Sequence, residues 1–323
     1  MTEGGARPAA TDRGLVREPV RKPAREPELA PAAEAGGGTL YVVATPIGNL
    51  RDVTLRALDV LAAVPLIAAE DTRLSRRLLD RYEIKARAIS FHARSGAGRL
   101  DQLLEHLRGG SDLALITDAG TPIVSDPGAD LVAAWATEGG AVVPIPGASA
   151  VLAAVVASGV AGPRWGFEGF LPRSGRERRE RLARVAADDQ ASVIFEAPTR
   201  LGATLKDLAA ACGPARSAAV CRELTKLHEQ IARGSLADLV ARVADGVIPA
   251  RGEVVIVVAG ADDRPGSASR PEGGAEAVDR ARVEVDRLVA SGVARGEAAR
   301  RVAADTGIHR RELYRPPEEP AGS

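Results

Sequence analysis

The sequence predicts an α/β fold: an open, mostly parallel sheet, then a second α/β unit with a mixed sheet. Three observations carry this. Strand-like and helix-like stretches alternate from residue 39 to about 260. Three turn-rich loops fall where strands should end. A Pro/Gly/Ser segment then separates the body from a helical tail.

Residues 1–38 mix Pro, Ala, Arg, Glu and Gly without periodicity, and the reading is a disordered tail. In the first unit, 39–160, strands are expected at 39–44, 66–70, 88–91, 112–117 and 141–145. Helices are expected at 54–64, 98–108 and 128–139, with Leu55, Leu58 and Leu61 along one face of the first. "PGASAVLAAVVASG" (146–159) reads as a helix entered through a Pro-Gly turn. In the second unit, 161–260, strands are expected at 164–170, 192–197, 217–224 and 252–260. Helices are expected near 175–187, 200–211 and 235–244. Few long crossovers separate these strands, so a mixed sheet fits. Residues 261–274 form a linker. Residues 275–315 show helical spacing, and "AARRVAADTGIHRREL" reads as helix, short turn, helix.

The chain has 323 residues, of which 45% are hydrophobic and only 3% aromatic, so the core must come from Ala, Val, Leu and Ile. Charges balance at 43 against 43, so a nucleic-acid partner would need a local basic patch. Cys212 and Cys221 match no disulfide framework and no common metal spacing, which points to a reducing cytoplasm and to no metal site. No apolar run reaches the length of a membrane span, and no signal-peptide apolar region opens the chain.

The three loops are "TPIGNLRD" (45–52), "TDAGTPIVSDPG" (117–128) and "IPGASA" (145–150). Strand carboxyl ends in open α/β sheets border the ligand crevice. Glycine there lets backbone approach a ligand closely. No loop carries a phosphate-binding signature, so a nucleoside-like ligand without phosphate fits better than a phosphate-rich one.

The stretch "LYVVATPIGNLRDVTLRALDVLAAVPLIAAEDTR", followed by "DAGTPIVSDPG", "PIPGASA", "FEGFLPR", "FEAPTR" and "RELTKLHE", closely resembles one bacterial family. That family is ribosomal RNA small subunit methyltransferase I, a cytidine 2′-O-methyltransferase of the tetrapyrrole-methylase-like class of S-adenosylmethionine enzymes. The resemblance runs in order from about 39 to 260, and the helical tail resembles the family's C-terminal module. One departure is Thr199, where many relatives have His, so no role of that His transfers.

The resemblance implies two α/β domains with S-adenosylmethionine in the cleft between them. It implies cofactor contacts at Asp118, Gly120, Thr121, Pro122, Ile123, Ser149 and Ala150, and from the second domain at Leu171, Phe195 and Glu253. It implies 2′-O-methylation of a cytidine ribose in the decoding region of 16S ribosomal RNA, a small-subunit partner and a homodimer.

A ribose hydroxyl is a weak nucleophile that must be aligned and deprotonated. "CRELTKLHEQ" (221–230) gathers Arg222, Glu223, Lys226 and Glu229. Lys226 or Glu223 could be the base, or Lys226 a charged donor, with Glu196 and Arg200 as second-rank candidates. "PRSGRERRERLAR" (172–184) supplies a candidate RNA surface of Arg173, Arg176, Arg178, Arg181 and Arg184, the last three sharing one helix flank. A tetrapyrrole or protein acceptor, or a non-enzymatic nucleic-acid-binding protein, are the competing readings. The arginine-rich segment favours RNA over a macrocycle, and the intact loops favour an enzyme.

Overall fold

The computed structural model describes residues 37–261 and 275–306, together with Ile308 and Leu313. Most of the expected N-terminal tail, most of the linker and most of the helix expected after the turn in "AARRVAADTGIHRREL" lie outside the described residues.

In the first unit, β1 (Leu40–Val43), α1 (Leu55–Ala63), β2 (Leu66–Ala69), α2 (Thr72–Arg81) and β3 (Arg87–Ser90) follow one another. Then come α3 (Ala97–Arg108), β4 (Leu113–Ile116), α4 (Ala129–Thr137), β5 (Val142–Ile145) and α5 (Ala150–Ser158). The five strands form one parallel sheet in the order β3-β2-β4-β1-β5. Successive strand side chains point to opposite faces, so β1 feeds two cores. Tyr41 and Val43 pack with Val60, Leu61 and Leu78 of α1 and α2. Leu40 packs on the other face with Leu103, Leu107 and Leu131 of α3 and α4.

The second unit contains β6 (Trp165–Phe170), α6 (Gly175–Ala187), β7 (Ala191–Glu196), α7 (Leu201–Cys212) and β8 (Ser217–Arg222). β9 (Gln230–Ser235), α8 (Leu236–Ala244) and β10 (Val254–Val258) complete it. Its sheet runs β6-β7-β10-β8-β9; only β6 and β7 are parallel, and the other pairs are antiparallel. One face carries α6, α7 and α8 over Ile194, Val220 and Ile256. The other face packs Val193, Val255 and Val257 against Val151 and Ala154 of α5 and against Ile47 of the first unit. The two units therefore meet over α5 and the loop that follows β1.

Two elements were not legible as such. α2 reads as a charged stretch, because its apolar residues Leu74, Leu78 and Leu79 are spread among four arginines. The expected strand 217–224 stops at Arg222, and β9 returns antiparallel with Arg222 paired to Gln230. "CRELTKLHEQ" is thus mostly a hairpin loop, 223–229.

Finally, α9 (Ala275–Ala290) and α10 (Arg295–Thr306) form a helical pair. They close over a core of their own, with Ala281, Val285, Ala298 and Val302. No helix among the described residues is long and apolar enough to cross a membrane.

Candidate active site

Two loops of the parallel sheet are joined at its carboxyl edge. Thr45 N–H donates to Gly120 C=O at 2.8 Å and Gly120 N–H donates back at 3.1 Å. Thr45 Oγ1 also donates to Thr117 C=O at 3.0 Å. The loop after β4 is long because it is tied across to the loop after β1 and then runs on as a wall. Its backbone is strained on the way. Ile123 has φ 76° and Ser125 φ 68°, a region that costs a β-branched residue about 1 kcal/mol or more.

Behind this wall lies a cavity of about 380 Å³, within the size range of small-molecule sites. The first unit lines it with Gly120, Thr121, Val124, Asp126, Ser149 and Ala150. The second unit adds Phe170, Phe195, Gly252, Glu253 and Val255. At Gly120 an added Cβ would come within 3.3 Å of Ile47 Cγ2, so a side chain there would narrow the cavity. The chain has four phenylalanines, and three of them gather at this wall. Phe195 meets Phe167 and Phe170 edge-on, with ring centroids 4.9 and 5.6 Å apart.

A second cavity of about 510 Å³ adjoins the first and shares Ile47, Ala119 and Glu253 with it. Its other walls include Gly48, Thr117 and Asp118, with Leu74 and Arg77 of α2 and Lys226 of the β8–β9 loop. Lys226 Nζ donates to Glu223 Oε1 at 3.0 Å and lies 3.1 Å from Glu253 Oε2. The backbone N–H of Glu253 donates to the same Glu223 oxygen at 2.9 Å. Gly48 allows the loops to close: a Cβ there would meet Lys226 Cγ at 2.5 Å. Asn49 N–H donates to Thr225 Oγ1 at 3.2 Å across the same contact.

Burial works against the charge on Lys226, but its bonds to Glu223 and Glu253 outweigh that and raise its pKa. The N–H of Glu253, reinforced by Lys226, holds the Glu223 carboxyl below the usual range. Across the cavities the balance is acidic. Burial, with the Asp71 charge, raises Asp118. Burial and the charges of Glu70 and Asp118 push Asp126 up to about 6.

The chain matches the family Tetrapyrrole (Corrin/Porphyrin) Methylases over residues 39–240. It is 44% identical over 279 residues to ribosomal RNA small subunit methyltransferase I of Synechocystis, covering 86% of this chain and 96% of that one. The Bacillus subtilis protein of the same name is 38% identical, covering 86% and 93%. This chain belongs to the ribosomal RNA small subunit methyltransferase I family. Two solved structures share the fold at lower identity. Cobalt precorrin-4 methyltransferase has a TM-score of 0.53 at 18% identity, covering 68% of this chain and 94% of that one. Thermus thermophilus uroporphyrin-III C-methyl transferase, complexed with S-adenyl homocysteine, has 0.52 at 20%, covering 69% and 98%.

Of the residues expected at the cofactor, Gly120, Thr121, Ser149, Ala150, Phe195 and Glu253 line the first cavity. Others do not. Asp118 lines the second cavity instead, and its Oδ1 accepts from Asp71 N–H at 3.0 Å. Pro122 is buried away from the wall and Ile123 turns to solvent. Val124, Ser125 and Asp126 take the lining positions, because the positive φ values flip the chain there. Leu171 is buried in the core on the opposite sheet face. A bulge between Phe167 and Gly169 shifts the alternation of β6, so Phe170 faces the cavity in its place.

Glu196, a second-rank candidate for the base, lines the first cavity with a carboxyl bonded inside the second unit. Its side chain is 0% exposed. Thr204 Oγ1 donates to it at 2.5 Å, Ala197 N–H at 2.8 Å, and Arg200 lies 3.2 Å away. That carboxylate is spent on holding β7 to α7. Arg222 turns from the cavities too, donating to the carbonyls of His228 and Arg251.

Two of the three arginines on the expected α6 flank, Arg178 and Arg181, face inward. Arg178 donates to Asp207 at 2.7 Å, to Thr204 Oγ1 and to Pro172 C=O. Arg181 pairs with Glu168 at 3.0 Å and bonds the Phe170 and Glu168 carbonyls. Arg184 is exposed but lies 3.9 Å from Glu168, and Arg176 is paired with Glu180. Arg173 and Arg179 are exposed.

Proposed function

We propose that the chain transfers a methyl group from S-adenosylmethionine to the 2′ oxygen of a cytidine ribose in the decoding region of 16S ribosomal RNA, within the small ribosomal subunit, and works as a homodimer in the cytoplasm. The names of the relatives support an RNA acceptor. The observation that carries the chemistry is a charged lysine in the second cavity, 3.1 Å from Glu253, which both cavities share.

The residues of the first cavity suit the cofactor. A phenylalanine wall and small residues offer an apolar slot, the carboxylates of Asp126 and Glu253 answer positive charge, and Gly120 leaves the space open. S-adenosylmethionine supplies an activated methyl on a positively charged sulfur that is an excellent leaving group. The protein must then position the ribose hydroxyl and remove its proton. With its pKa raised, Lys226 is not a neutral base. It donates a hydrogen bond to the hydroxyl oxygen, fixes its line of approach and stabilises negative charge as it develops there. Glu253, shared by both cavities and with its side chain 68% exposed, takes the hydroxyl proton. Glu223, held low, anchors the ammonium.

Lys226→Met keeps most of the stem and deletes the charge. Turnover on small ribosomal subunits, followed with radiolabelled methyl, should fall on the order of a hundredfold. Calorimetric cofactor affinity should change by less than about twofold. Lys226→Arg should recover part of the rate. A wild-type rate in the Met variant would remove Lys226 from the chemistry.

A further inference from the structure

The second cavity has walls from the loops after β1 and β4 and from α2, and it ends at Lys226. On the methyl-transfer reading, which this inference deepens, it receives the acceptor ribose. A base inside a stacked helix cannot bring its ribose into such a recess, so the nucleotide must enter unstacked. Its flanking phosphates then lie at the rim, and the rim must hold them.

The charges available at that rim differ from those on α6. Arg77 of α2 is exposed, and among the described residues it has no ion pair or side-chain hydrogen bond. Arg77 lines the cavity itself. Arg51 is exposed and equally unpaired on the facing loop. It follows Leu50, which lines the cavity and whose carbonyl accepts the Tyr82 hydroxyl at 2.8 Å from the end of α2. Leu74, 45% exposed, presents an apolar surface beside Arg77, where a base edge or sugar can rest. Arg73 is already committed to Asp71 at 2.7 Å. On α6, by contrast, Arg176, Arg178 and Arg181 are each committed to a carboxylate, and Arg184 lies near one.

An unpaired guanidinium offers its whole fork to a phosphate, whereas a paired one must first give up a bond. We infer that α2 and the loop facing it grip the RNA: Arg77, with Arg51 opposite, holds the phosphates flanking a single unstacked nucleotide whose ribose is delivered to Lys226. The α6 arginines stay outside this contact.

The test is methyl transfer to purified, unmethylated small ribosomal subunits over a range of salt concentrations. It compares the wild type with R51E/R77E, the milder R51A/R77A, and R176E/R184E on α6. For the Arg51/Arg77 variants KM for the subunit should rise tenfold or more, while kcat at saturation changes less than about threefold. The salt dependence of KM should flatten by a log–log slope of about 1.5, as expected for two lost phosphate contacts. Calorimetric cofactor affinity should stay at the wild-type value, which also shows that the variants are folded. The α6 variant should stay within about twofold of wild type. Wild-type KM and salt slope in both Arg51/Arg77 variants, or a loss confined to the α6 variant, would overturn the assignment of this rim while leaving the methyl-transfer reading intact. Failure of the wild type to label RNA at all would overturn both.

Discussion

Asp126 sits in the wall of the first cavity among other acids. The groups facing it are the carboxylates of Glu70 and Asp118 and the hydroxyl of Thr117, and burial together with those charges pushes it up to about 6. Its folded pKa is above its value in the unfolded chain. Its contribution to stability is therefore fully present below the unfolded pKa and is lost as pH rises through about 6. Asp126→Asn should raise the melting temperature of the ligand-free protein at pH 8 and have little effect below about pH 4. A cation bound in the cavity favours the ionised form, so S-adenosylmethionine should bind more tightly as pH rises from about 5 to 7. The gain is roughly tenfold for each pKa unit the bound charge takes from Asp126. The Asn variant should flatten that dependence in calorimetry. A flat wild-type profile would mean that Asp126 does not face the cofactor's charge.

At the scale of elements, α6 commits to the fold the arginines that its sequence offers to RNA. The spacing of Arg178, Arg181 and Arg184 does place them on one flank, but that flank meets Asp207, Thr204 and Glu168. With a side chain only 9% exposed, Arg178 ties α6 to α7. Arg178→Ala leaves those partners short of a donor and should lower stability by roughly 2 kcal/mol, read from denaturant unfolding. RNA affinity of the folded fraction should match wild type. A variant of normal stability with weakened RNA binding would return α6 to the interface. Helix α2 hides for the opposite reason: Ser75, Leu78 and Leu79 alone bury its inner face, too thin an apolar stripe to stand out in a run of arginines.

At the scale of the whole molecule, the two sheets share a core over α5 and Ile47, and the cavities open along that seam. The α9–α10 pair keeps a core of its own. Deleting residues 275–323 should therefore leave cofactor affinity within about twofold and the unfolding midpoint of the body unchanged. Methyl transfer to subunits should fall about tenfold or more if the pair adds to the grip on the acceptor. Loss of cofactor binding would show that the pair supports the cleft.

The α/β class, the order of most strands and helices, and the loops that border the cleft are written locally. Alternation of apolar residues, glycine and proline at turns, and caps such as Thr54 and Ser149 act within a few residues of themselves. The direction in which a side chain ends is not local. A bulge in β6 decides that Phe170 and not Leu171 meets the cavity. Glu253 reaches Lys226 only because β10 lies beside β8, and that contact helps to raise the lysine's pKa. Asp126 reads as a turn residue until the fold sets it against Glu70 and Asp118. Burial and Coulomb interaction depend on distance in space, so the tertiary structure alone assigns the charges and partners of this site.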